Sequence, residues 1–98
     1  MAKMTIGGAL VDARSGQTIE VRNPATGEIV DTIPRGSASD VDAAVQAAHA
    51  AFSAWASLAP SKRAQLMHAA AVAVRGAVPE LARLLTMEQG KPLAHATL

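Results

Sequence analysis

The chain has 98 residues, a net charge of +1 and no cysteine. That length gives room for one small domain, and the charge gives no electrostatic case for nucleic acid or an anionic membrane. The missing cysteines exclude disulfides, thiolate metal sites and any cysteine nucleophile among these residues.

The N-terminus, Met1-Ala2-Lys3-Met4-Thr5, lacks the long apolar core of a signal peptide. Ala69 to Ala73 is apolar but falls far short of the roughly 20 residues needed to span a bilayer. The expectation is a cytoplasmic protein with no membrane or nucleic-acid partner. Met4-Thr5-Ile6 and Ala9-Leu10-Val11 read as two very short strands around Gly7-Gly8, and Arg14-Ser15-Gly16 is a turn signal. Thr18 to Arg22 alternates, with Ile19 and Val21 on one face and Glu20 and Arg22 on the other.

Asn23-Pro24-Ala25-Thr26-Gly27-Glu28 is the pivot of the chain. Asn23 can start a turn by bonding its side chain to nearby backbone, Pro24 fixes the next φ, and Gly27 can take a positive φ. The stretch therefore reads as the tip of a β-hairpin whose return strand is Ile29 to Pro34. Pro34-Arg35-Gly36 ends the sheet, and the rest is helical. Ser39, ahead of Asp40-Val41-Asp42, is taken as the N-cap of a first helix. Val41, Ala44, Val45, Ala48, Phe52 and Trp55 recur at helical spacing as its inward stripe. Pro60 opens a second helix that continues to Arg75, with Leu66, Met67, Ala70 and Val74 inward. Gly76 and Pro79 interrupt it; a third helix runs from Pro79 to Gln89 and is capped by Gly90. Pro92 begins a short fourth element, and the chain is expected to stop inside it. The fold class is thus α+β: short strands and a hairpin over residues 1–36, then three to four helices over 39–98.

Taken together these residues resemble the NAD(P)-dependent aldehyde dehydrogenase superfamily. The matching pieces are Ile6-Gly7-Gly8, Ser15-Gly16, Asn23 to Glu28, Asp40 to Val45, Phe52 with Trp55, Arg63, and Glu88-Gln89-Gly90-Lys91-Pro92-Leu93-Ala94. The last run looks most like the succinate-semialdehyde dehydrogenase branch. The resemblance implies an N-terminal fragment of the α/β coenzyme-binding domain, packed against the remainder of the dehydrogenase chain, in a homo-oligomer when complete. It also implies oxidation of an aldehyde to a carboxylic acid with NAD or NADP. That chemistry uses a cysteine thiolate, a glutamate-activated water and dinucleotide-contacting segments that the family places beyond these residues. This segment carries no glycine-rich phosphate loop, so no catalytic or cofactor-binding residue is assigned in it and inactivity alone is expected. Two alternatives stand beside that reading: a small helical interaction module, or a truncated product without function.

Glu88 is expected on the stripe of Leu81, Leu84 and Leu85, where desolvation and the helix dipole both disfavour a carboxylate. By resemblance, the Val21 and Arg22 carbonyls and the Glu88 carboxylate form a structural Na⁺ or K⁺ site. The competing expectation is an ion pair with Arg22, Lys91 or Arg83, or a solvated acid. His49, His68 and His95 read as solvated surface residues, and Ser37, Ser39 and Ser61 as turn and cap residues. Arg63 is expected to pair locally or to contact the rest of a larger protein.

Overall fold

The computed structural model describes residues 2–98. Four strands precede four helices: β1 (Met4–Ile6), β2 (Ala9–Val11), β3 (Thr18–Arg22), β4 (Ile29–Pro34), α1 (Ala38–Ser57), α2 (Pro60–Gly76), α3 (Val78–Gln89) and α4 (Leu93–Ala96). The α+β class and the order of elements agree with the sequence. Strands β1 and β2 pair antiparallel, Met4 opposite Val11 and Ile6 opposite Ala9, through the two-residue Gly7-Gly8 turn. Strands β3 and β4 form a second two-stranded sheet. The chain divides into two compact units, one of Met1–Val21 and Asp31–Ser57, the other of Arg22–Val30 and Leu58–Leu98.

In the first unit α1 packs on β1. The helix meets the hairpin through alanine: a Cβ built on Gly7 would stand 3.8 Å from the Cβ of Ala47. Ala43, Ala44 and Ala47 are half-buried, and Ala13 is buried. Of the stripe expected to face inward only Ala44 is half-buried; its bulky members are not covered. Val41, Val45 and Phe52 are 60–67% exposed and Trp55 43%. At 3.6 residues per turn the bulky stripe lies roughly 110° round the helix from the alanine face. Small side chains permit the closer approach to the glycine turn, so the alanine face wins that contact.

In the second unit α2 packs on α3, and α3 on α4. Pro60 stands in the first turn of α2, where its missing N–H costs nothing. Ala77 links α2 to α3; its N–H bonds to Val74 O at 3.0 Å, and its carbonyl accepts from Leu81 N–H at 2.9 Å. Gly90 ends α3 in the left-handed conformation, φ 74°, and its N–H returns to Thr86 O. The inward positions proposed for α2 are corrected as well: Leu66, Met67 and Val74 are 41%, 62% and 56% exposed. Ala82 is the buried apolar residue on α3, and no large side chain among the described residues is fully enclosed.

Candidate functional site

Two local constructions hold the most specific geometry. The first is built on Asp40, 4% exposed at the start of α1. Its Oδ2 accepts from the Ser37 backbone N–H and from the Ser37 hydroxyl, both at 2.9 Å, and its Oδ1 accepts from the Arg14 backbone N–H at 3.2 Å. The Asp40 N–H points back to Ser37 Oγ at 3.5 Å. Ser37 and Asp40 thus form a reciprocal capping box, with the acid at the third helical position. The cap is therefore Ser37 and not Ser39, whose hydroxyl lies 2.9 Å from Ser37 Oγ. These bonds, led by the Ser37 N–H, hold the Asp40 carboxyl below its ordinary value of 3.8 against the opposing effect of burial. The Ser37-x-x-Asp40 spacing was the signal for this clasp. Its bond to Arg14, 26 residues away, has no local sequence signature.

The second is the hairpin tip. Asn23 Oδ1 accepts from the Ala25 N–H at 2.9 Å, the Asn23 carbonyl from the Gly27 N–H at 2.8 Å, and the Glu28 carbonyl from the Asn23 N–H at 2.8 Å. Gly27 has φ 76°. The turn chemistry read from the sequence is the chemistry observed. Arg22 reaches over the tip and donates to the Gly27 carbonyl at 2.9 Å. Pro24 then stands against the end of α3: a Cβ on Gly90 would lie 3.1 Å from Pro24 Cγ.

Of the residues assigned to a cation site, Val21 is half-buried near the end of β3, Arg22 is exposed at its last position, and Glu88 is exposed in the last turn of α3. Glu88 does share a stripe with Leu81 and Leu84, but these are 48% and 42% exposed, so the buried stripe invoked for it is corrected. The covered side of α3 carries Ala82, with Leu85 and Thr86 half-buried. Among the described residues no three His, Cys, Asp or Glu side chains converge on a metal position. Arg63 pairs locally, donating to the Leu58 carbonyl at 2.8 Å. No helix is long and apolar enough to cross a membrane among the described residues.

What remains exposed is apolar helix surface rather than a cleft with convergent polar groups. Open hollows border the β1–β2 hairpin, one of about 240 Å³ touching Ile6, Val11, Arg14 and Asp40. The acid that borders it is already committed to three donors.

Comparison with known proteins supplies what the geometry does not. The model of the aldehyde dehydrogenase family matches residues 10–98. A glutarate-semialdehyde dehydrogenase of Pseudomonas aeruginosa is 45% identical over 91 residues, which is 93% of this chain and 19% of that protein. The solved succinate-semialdehyde dehydrogenase of Burkholderia pseudomallei superposes with a TM-score of 0.94 at 38% identity, covering 99% of this chain and 20% of that one. The structure of PnpE in complex with nicotinamide adenine dinucleotide gives 0.93 at 35% identity, over 98% of this chain and 20% of that one. The chain spans about a fifth of the length of the relatives it matches.

Proposed function

The chain belongs to the aldehyde dehydrogenase family, and from that premise we propose that it is the N-terminal packing segment of an enzyme that oxidises an aldehyde to a carboxylic acid with NAD or NADP. The family match over residues 10–98 carries the reading. The semialdehyde names of similar proteins support a substrate that bears a carboxylate at its far end. In this reading the segment supplies surface and shape, and the remainder of the chain supplies the chemistry.

The residues present do not fit a dinucleotide. A phosphate cradle needs a glycine-rich turn that opens a helix. Gly7 and Gly8 join two strands, Gly16 lies in the turn before β3, Gly27 closes the hairpin tip, Gly36 stands alone ahead of α1, and Gly76 and Gly90 end helices. No step of the reaction is therefore assigned to this segment. Its role is to present the Val41–Val45–Phe52–Trp55 stripe and the exposed face of α2 to the rest of the polypeptide, in a protein that assembles as a homo-oligomer. Burial of that stripe is the contribution expected of it.

The test is an assay of the whole gene product with glutarate and succinate semialdehydes, NAD and NADP, beside the purified 98-residue chain. Reduced coenzyme from the whole product alone supports the reading. No turnover of any aldehyde by the whole product overturns it.

The exposed α1 stripe also favours a second reading, a free-standing helical module that docks a partner. A sharp, cooperative melt of the 98-residue chain as a monomer supports the module. A broad transition with association supports the segment of an enzyme.

A further inference from the structure

We draw no further inference here: the strongest candidate, the apolar stripe of Val41, Val45, Phe52 and Trp55 on α1, belongs to the packing role already proposed, and nothing in the structure shows any other occupant that covers it.

Discussion

Pro24 and Gly90 meet so closely that a Cβ added to Gly90 would stand 3.1 Å from Pro24 Cγ. The hairpin tip thus rests on the residue that ends α3, and two independent constraints converge on that glycine. One is its left-handed φ of 74°, which costs an L-residue roughly 1–2 kcal/mol. The other is the proline ring, which has little freedom to withdraw.

Gly90→Ala is therefore expected to destabilise the last turn of α3 by about 1–2 kcal/mol, read as faster amide exchange there. Gly90→Asn separates the two causes. Asparagine tolerates the left-handed region but still brings a Cβ against Pro24. Adding Pro24→Ala should recover part of the loss in both variants. Strict additivity of the two substitutions would mean that the contact carries no energy.

The Asp40 clasp has a defined pH signature. Its carboxyl titrates below 3.8 in the fold, so the stability it contributes is fully present above that ordinary value. It is lost as pH falls through the lower folded value. The protection of the Ser37 and Arg14 amides should therefore be flat from neutral pH down to the ordinary carboxylate range and fall only below it. In Asp40→Asn the same amides should be poorly protected at neutral pH, and the gap to the parent should close in acid. A gap that persists unchanged in acid would contradict the role of the charge.

Ser37→Ala should cost about 1 kcal/mol through loss of the cap, and Ser39→Ala distinctly less. The ratio of the two, measured by amide exchange in the first turn of α1, decides between the serines. Equal losses would contradict the assignment of Ser37.

Phe52→Asp distinguishes a surface residue from one covered by further polypeptide. In the 98-residue chain Phe52 is 67% exposed, so the change should move stability by no more than about 0.5 kcal/mol. In the whole gene product, the stripe being covered, loss of the buried ring should cost about 3–5 kcal/mol or more. Similar small effects in both would count against the packing role. The apolar dye ANS should bind the 98-residue chain and leave it when Phe52 and Trp55 are both changed to aspartate.

Much of this fold was legible because its punctuation is local. The Gly7-Gly8 pair, the Asn23-to-Glu28 turn, Pro60 and Gly90 each act within a few residues, and they fixed all four strands and bounded the second and third helices to within about a residue. The first helix was misjudged twice, for different reasons. Two serines precede Asp40, and the three-residue spacing of a reciprocal cap, which Ser37 alone has, was passed over in favour of the nearer Ser39. The helix is apolar on two sides, and periodicity cannot say which side its own chain covers. The glycine turn of β1–β2 admits the alanine side. Glu88 was misplaced by the same ambiguity on α3, where Leu81 and Leu84 line the exposed side. The chemistry was not read from a site; the resemblance carried by Asn23 to Glu28 and Glu88 to Ala94 pointed to the family before any geometry did.

The central claim is that these residues are one part of a longer enzyme, and the intact mass of the native gene product tests it most directly. An antibody to this segment would recover that product from source cells for mass spectrometry. The account predicts a polypeptide about five times the 10.0 kDa of this chain, as in the relatives of which it spans a fifth. A native product of 10.0 kDa would contradict it.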